Sequence, residues 1–265
     1  MTAALIITLR ETLEASLIVG IILAYLNKTE NTKHKKIIWY GVVAGIITSF
    51  AFAWLFNTLG NGFEGAAEEI YEGITMLVAA ALLTWMILWM LTQRHKLRAN
   101  LENKVQTHIE GDHPWSLFFL VFVSVIREGI ETVIFLQAAS LQSEEGNLLI
   151  GGILGIVAAI ILSYLLFKGI SRIPLRKFFS STSILLILFA AGLVAHGIHE
   201  LQEAHIVPII TEHLWDTNSI LDEKGSSGAL LKGLFGYNGN PSLIEVISYW
   251  AYLAIIALLW RRIEK

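Results

Sequence analysis

Two copies of one charged pentapeptide stand out in the sequence. Residues 10–14 read Arg-Glu-Thr-Leu-Glu and residues 127–131 read Arg-Glu-Gly-Ile-Glu, so both follow the pattern R-E-x-x-E. In a helix this spacing puts two carboxylates one turn apart on the same face. Carboxylate oxygens are hard ligands that suit hard cations. The two motifs therefore predict a cation site formed by Glu11, Glu14, Glu128 and Glu131.

Each motif also carries its own counter-charge. Arg10 precedes Glu14 by four residues and Arg127 precedes Glu131 by four, so each arginine can pair with the distal glutamate. Two facing motifs would hold a formal charge of −2. The arginines would ease the crowding of four acids and would keep a cation from binding too tightly to leave. The competing interpretation is a pair of structural ion pairs, but buried pairs are weak stabilisers and the duplication favours function.

Composition places these charges inside a membrane. The chain has 265 residues, of which 55% are hydrophobic and 15% charged, and its mean hydropathy is +0.62. Soluble domains carry about 25% charged residues. A charge at the bilayer centre costs at least about 2.5–3.5 kcal/mol, so charged residues there indicate function. The absence of cysteine excludes disulfides, cysteine-ligated zinc and iron–sulfur clusters.

The hydrophobic pattern predicts an all-α, polytopic membrane protein with seven transmembrane helices. They are expected near residues 3–27, 37–59, 70–92, 115–139, 148–168, 179–201 and 243–260. The first is expected to be a retained span, because Arg10 and Glu11 interrupt its apolar run and no basic region precedes it. Segments 28–36, 93–114, 168–178 and 261–265 hold 15 of the 19 lysines and arginines. The positive-inside rule then predicts an outer N-terminus and a cytoplasmic C-terminus.

The chain is expected to form a single transmembrane permease domain, 1–265, with an internal repeat. Repeat 1 covers 1–92 and repeat 2 covers 115–201; an outer loop, 202–242, and a seventh helix, 243–260, follow. The first helix of each repeat carries R-E-x-x-E, and the second opens with G-x-x-x-G at 41–45 or 151–155. Three spans per repeat make the second copy inverted, and inverted repeats are typical of transporters.

A second acidic group is predicted on the outer side. It combines the start of the third helix with the end of the sixth, and its candidate metal ligands are Glu68, Glu72, His199, Glu200 and Glu203. An acidic mouth on one side would concentrate a cation for import. The alternatives are solvated first-turn acids at Glu68 and interfacial packing on the sixth helix.

The remaining features favour structural roles. Ser242 and Glu245 read as a helix capping box, so no transport role is assigned to Glu245. The tryptophans, Trp85 and Trp89 among them, are expected at span ends or on lipid faces, and Met90 is expected to pack. No nucleotide-binding loop or catalytic triad pattern occurs, so the chain is expected to be a secondary transporter with no permanently bound cofactor.

These residues resemble a known family, the oxidase-dependent iron permeases. Paired R-E-x-x-E motifs in the first and fourth helices carry the resemblance, together with Phe63-Glu64-Gly65 and Leu201-Gln202-Glu203-Ala204. It covers essentially the whole chain and is strongest to the bacterial, EfeU-type branch. The resemblance implies iron import across the bacterial inner membrane, iron binding by the four motif glutamates, and a requirement for Arg10 and Arg127.

The resemblance also implies partners, and the residues leave alternatives open. Extracytoplasmic iron oxidase or delivery proteins of the EfeO and EfeB kind would supply iron as Fe³⁺, or as Fe²⁺ coupled to oxidation. The partners are iron, the lipid bilayer and a second copy of the chain, with no nucleic acid. The alternatives are a manganese or proton-coupled transporter, an iron sensor, and a membrane redox enzyme that uses His196 and His199.

Overall fold

The computed structural model describes residues 1–60, 62–93, 114–142, 148–169, 175–223 and 225–263, and these residues form helices and connecting turns without strands. The helices are α1 (Thr2–Lys28), α2 (Lys35–Gly60), α3 (Ala66–Gln93), α4 (Pro114–Gln142), α5 (Leu148–Phe167), α6 (Leu175–Glu203), α7 (Ser226–Phe235) and α8 (Leu243–Ile263). A 3₁₀ turn, Thr32–His34, precedes α2. The predicted basic loop at 94–113 and the connection 143–147 lie outside the described residues.

All seven predicted spans are helices, and α7 is an additional short helix. Five of the described helices are long and apolar enough to cross a membrane: α2, α3, α5, α6 and α8. The two long helices outside this group, α1 and α4, are those whose apolar runs the motif charges interrupt. The chain is a multi-pass membrane protein. The passage of α1 and α4 through the bilayer stays a prediction.

The small-residue motifs bring together helices from the two predicted repeats. In α2, Gly41 and Gly45 face α4, and a methyl group added at Gly41 would lie 2.9 Å from the Phe118 carbonyl oxygen. In α5, Gly151 and Gly155 face α1, and a methyl group at Gly155 would lie 2.5 Å from the Leu5 carbonyl oxygen. Backbones approach this closely because glycine has no Cβ. Each motif helix is thus flanked by the second helix of the other repeat.

Helices α3 and α6, the third helices of the two predicted repeats, pack on each other. A methyl group added at Gly73 of α3 would lie 2.9 Å from the Gly197 carbonyl oxygen of α6. Further along the pair, Leu83 of α3 and Phe189 of α6 belong to one buried cluster that also includes Phe135 of α4. This cluster therefore lies between α1, α3, α4 and α6, and a second buried cluster lies between α1, α2 and α4.

The outer loop folds back on the bundle. Helix α7 contacts α6, α1 and α4, and its αL cap residue, Gly236, packs directly on Gly192 of α6. The Lys232 ammonium donates to Glu223 at 2.6 Å. Burial raises the pKa of Glu223, but the hydrogen bond and charge of Lys232 outweigh it and lower that pKa overall. The loop is thus an ordered module that packs on α1, α4 and α6.

The predicted capping box at the start of α8 is confirmed. The Ser242 amide donates to Glu245 Oε1 at 3.0 Å, and the Glu245 amide donates to Ser242 Oγ at 3.3 Å. The Ser242 hydroxyl also donates to Gln202 Oε1 at 2.8 Å. This links the first turn of α8 to the end of α6.

Candidate metal-transport site

The two R-E-x-x-E motifs meet at the contact between α1 and α4. Carboxylate oxygens of Glu11, Glu128 and Glu131 all lie within 4.8 Å of one another, and in the described part of the chain no other group of three potential ligands is so close. The fourth motif acid, Glu14, lies one turn beyond Glu11 on α1. One cation at this point could contact carboxylates from both motifs at once.

Both predicted arginine–glutamate pairs are present. Arg10 Nε lies 3.0 Å from Glu14 Oε1, and Arg127 Nε lies 2.8 Å from Glu131 Oε1. Arg127 Nε is also 4.0 Å from Glu128 Oε1. Each pairing follows from the four-residue spacing on a helix. The arginines therefore neutralise part of the charge without occupying every carboxylate oxygen.

Several carboxylate oxygens at this point accept no hydrogen bond from protein atoms. They are both oxygens of Glu11 together with Oε1 of Glu14, Oε2 of Glu128 and Oε2 of Glu131. Glu11 is 1% exposed and Glu128 is 5% exposed. Burying an ionised carboxylate without a partner is costly, so such groups are found paired or bound to a metal. The chemistry of this donor set fits a hard cation with oxygen ligands.

The two arginines occupy different surroundings. Arg10 is fully buried, and its Nη2 donates to Met90 Sδ at 3.6 Å. The Arg127 side chain is 40% exposed, and its Cζ lies 4.9 Å from the centroid of the Trp89 ring. Trp89 lies one turn before the end of α3, and its indole lies beneath a motif arginine, a contact that the sequence did not predict. Trp85, one turn earlier, is exposed as expected.

A cavity of about 550 Å³ adjoins the site. Its wall is formed by the first half of α4, from Ser116 to Glu128, with Ile18 of α1 opposite. The polar side chains in this wall are Ser116, Ser124, Arg127 and Glu128. The cavity is open along the exposed side chains of Phe119 and Val123, and it extends along α4 from Glu128 to the region of Ser116, near the N-terminal end of the helix.

The predicted outer group assembles where α3 and α6 cross. Glu72 interacts electrostatically with Glu200 and Glu203, and Glu68 is near enough to contribute while remaining exposed. His199 Nε2 lies 3.2 Å from Glu203 Oε1. These residues share one end of the bundle, but their ligand atoms are more dispersed than those of the motif site.

His199 has a second contact that sequence reasoning missed. Its Nδ1 lies 3.1 Å from Oε1 of the buried Glu245. The other oxygen of that carboxylate, Oε2, accepts a hydrogen bond from Asn238 Nδ2 at 2.8 Å. The capping residue is therefore part of the outer group's support. The contact between Glu245 and His199 could not be predicted, because nothing in the sequence indicates that the start of α8 lies beside the end of α6.

The second histidine of the redox alternative lies elsewhere. His196 is buried, and its Nδ1 is 3.3 Å from the Gly192 carbonyl oxygen and 3.4 Å from Gln142 Nε2. His199, one turn later, faces Glu203 and Glu245. The two imidazoles contact separate sets of residues, so they do not converge on one metal position.

Comparison with known proteins identifies relatives along the whole chain. The family model described as Iron permease FTR1 family matches residues 1–262. The ferrous iron permease EfeU of Escherichia coli O6:K15:H31 is 34% identical over 258 residues, which cover 96% of this chain and 94% of that protein. The EfeU proteins of Shigella sonnei and Yersinia pestis are each 34% identical, over 94% and 96% of this chain and 91% of their own lengths. No solved structure matches.

Proposed function

We propose that this chain, which belongs to the iron permease FTR1 family, imports iron through a single carboxylate site built jointly by its two R-E-x-x-E motifs. Iron import itself is what the family and the EfeU relatives support. The observation that carries the finer proposal is the convergence of Glu11, Glu128 and Glu131, from two distant parts of the sequence, within 4.8 Å. A site shared between two helices can open and close as those helices move.

The formal charge of the site matches that of Fe²⁺, the ion in the names of the relatives. Four ionised motif carboxylates and two guanidinium groups leave a formal charge of −2. The relatives are called ferrous iron permeases, and Fe²⁺ would neutralise such a site. We therefore propose Fe²⁺ as the ion offered to the site. Passage of Fe³⁺, formed by oxidation outside the cell, is the second version, and oxygen ligands suit it as well.

The proposed route begins at the outer group and ends at the cavity. Iron is first attracted by the acids at Glu72, Glu200 and Glu203, with His199 as an additional ligand. It then reaches the motif carboxylates and leaves past Arg127 into the cavity beside α4. An inside-negative membrane potential drives a cation inward by about 2.3 kcal/mol per charge per 100 mV.

The function is tested by uptake of radioactive iron into iron-starved cells that lack other importers. Cells that produce the protein should accumulate much more iron than cells with an empty vector. This should hold whether the iron is supplied as Fe²⁺ with a reducing agent or as ferric citrate. Excess manganese in the medium separates iron from other hard cations, since a manganese transporter would lose most of its iron signal. Equal accumulation with and without the protein would contradict the proposal.

Neutralising the outer group should weaken capture without abolishing transport. The double variant Glu200→Gln/Glu203→Gln removes two negative charges from the mouth, so the KM for iron uptake should rise about tenfold, within the range that focusing of cations gives. The maximal rate should stay near that of the wild type, because the motif carboxylates are unchanged. The effect should shrink as salt is raised. A fall in maximal rate with constant KM would contradict this role.

Orientation can be tested cleanly because the chain contains no cysteine. We propose that the N-terminus lies outside the cell and that the second repeat is inverted. The reciprocal packing of α5 on α1 and of α2 on α4 supports the repeat. A cysteine at Asp216 should react with an impermeant maleimide in intact cells. A cysteine at His34 should react only after permeabilisation. The opposite pattern would reverse the topology and exchange the proposed entry and exit.

We further propose that extracytoplasmic iron-delivery or oxidase proteins of the EfeO and EfeB kind supply the outer group. The ordered module 202–242 lies beside that group, since Asn238 and Ser242 bond to the carboxylate that contacts His199. Its position gives such a partner a surface next to the entry.

A further inference from the structure

Arg127 lies on the exit route proposed above. Together with Glu128 it forms the part of the cavity wall next to the motif carboxylates, whereas Arg10 is fully buried and away from the cavity. A guanidinium is always charged near neutral pH and repels a metal cation at short range. The path from the site into the cavity is therefore opposed by this side chain for as long as it stays in place.

Besides the longer contact with Glu128 Oε1, at 4.0 Å, two groups hold Arg127 in this position. One is Glu131, whose Oε1 lies 2.8 Å from Arg127 Nε. The other is Trp89 of α3, whose ring centroid lies 4.9 Å from Arg127 Cζ. Glu131 also belongs to the carboxylate cluster, so a bound cation would compete with Arg127 for it. A cation bound to the carboxylates does not compete for the indole face, which attracts the guanidinium whether or not the site is occupied.

We propose that Trp89 is a positioning residue that keeps Arg127 across the exit of the carboxylate site and so slows the release of the bound ion. The proposal rests on the proposed function and specifies how that same site retains iron. With iron bound, Glu131 is shared, and the indole becomes the contact that keeps the guanidinium from swinging away. Release then requires Arg127 to leave the Trp89 face.

The direct test is the rate at which iron leaves the purified protein. Protein in detergent is loaded with Fe²⁺ under anaerobic conditions and mixed rapidly with an excess of a ferrous chelator, whose colour reports release. Trp89→Leu should release iron about threefold to tenfold faster than the wild type, as expected for loss of a partly desolvated cation–π contact. Trp89→Phe keeps an aromatic face and should stay within about twofold of the wild type.

The chain offers a matched control on the same helix. Trp85 lies one turn before Trp89 and is 72% exposed, and Trp85→Leu removes the same indole without touching Arg127. Its release rate should equal that of the wild type. The proposal is overturned if Trp89→Leu and Trp85→Leu give the same rate, or if Trp89→Phe is as fast as Trp89→Leu.

A second variant covers the case in which Trp89→Leu does not fold. Arg127→Lys keeps the positive charge but loses the planar group that stacks on the indole, so it should also release iron faster; an unchanged rate overturns the proposal. Failure of the proposed function looks different. If the wild type binds iron but vesicles containing it take up none, the permease proposal fails, while the release rates still decide the role of Trp89.

Discussion

Glu128→Gln is expected to reduce iron uptake by about 100-fold, equivalent to about 2.8 kcal/mol at 1.4 kcal/mol per tenfold change. Glu128 is buried and lies in the three-carboxylate cluster, with Oε2 unpaired by any protein donor. Glutamine has nearly the same shape but brings no charge and offers a single oxygen. Removing one charge from a buried set typically costs about 2–5 kcal/mol. The measurement is the initial rate of radioactive iron uptake into starved cells.

The interpretation depends on comparing equal amounts of protein. Immunoblots of washed membranes should show wild type and variant at similar levels, since the substitution leaves the packing of α1 and α4 unchanged. Glu212→Gln is the matched control, because Glu212 is an exposed acid in the outer loop and lies outside both proposed sites. It should transport like the wild type. If Glu128→Gln kept more than half of the wild-type uptake rate, we would conclude that the motif is a structural ion pair without a role in transport.

Gly155→Ala is expected to damage the fold at the contact between α5 and α1. The added methyl group would lie 2.5 Å from the Leu5 carbonyl oxygen and 2.9 Å from the Leu9 amide nitrogen. The methyl group would also overlap the Thr8 hydroxyl oxygen, and because the other two obstacles are backbone atoms, the helices must separate. Overpacking of this kind costs about 1–3 kcal/mol, which corresponds to a fall in Tm of roughly 2–12 °C. Uptake should fall as well, because the separation displaces Leu9 next to the first motif.

Gly152→Ala provides the matched control one turn earlier on the same helix. Its methyl group would meet only Thr8 Cγ2, at 3.7 Å, which is an ordinary contact. Alanine also favours a helix over glycine by up to about 1 kcal/mol. Tm should therefore stay level or rise, as measured by thermal unfolding of purified protein in detergent. If both variants lowered Tm equally, the close approach at Gly155 would not explain the loss.

Much of the fold could be predicted from the sequence because membrane helices impose long apolar runs. All seven predicted spans are helices, and the glycine motifs at 41–45 and 151–155 do mark close contacts. The partner of each contact could not be predicted, since a small-residue stripe does not name the helix that faces it. A short helix was expected in the outer loop, but the bounds of α7 could not be predicted, because ten residues with two glycines give only a weak pattern.

The chemistry of the site was predictable where spacing on one helix defines it. The Arg10–Glu14 and Arg127–Glu131 pairs follow directly from the four-residue interval. Contacts between helices were not predictable in the same way. Trp89 resembles any interfacial tryptophan in sequence, and its place beneath Arg127 depends on how α3 crosses α4. The role of Glu245 beside His199 likewise depends on the docking of α8 against α6.

Equilibrium iron binding by the purified protein tests most directly whether the two motifs form one site. Wild type, Glu11→Gln and Glu128→Gln would be titrated with Fe²⁺ under anaerobic conditions, with bound and free iron separated and counted. If the motifs share a site, the wild type binds one ion tightly at this position, and either substitution alone removes that binding. If each variant instead keeps one site of undiminished affinity, the motifs bind iron independently, and the shared carboxylate site is contradicted.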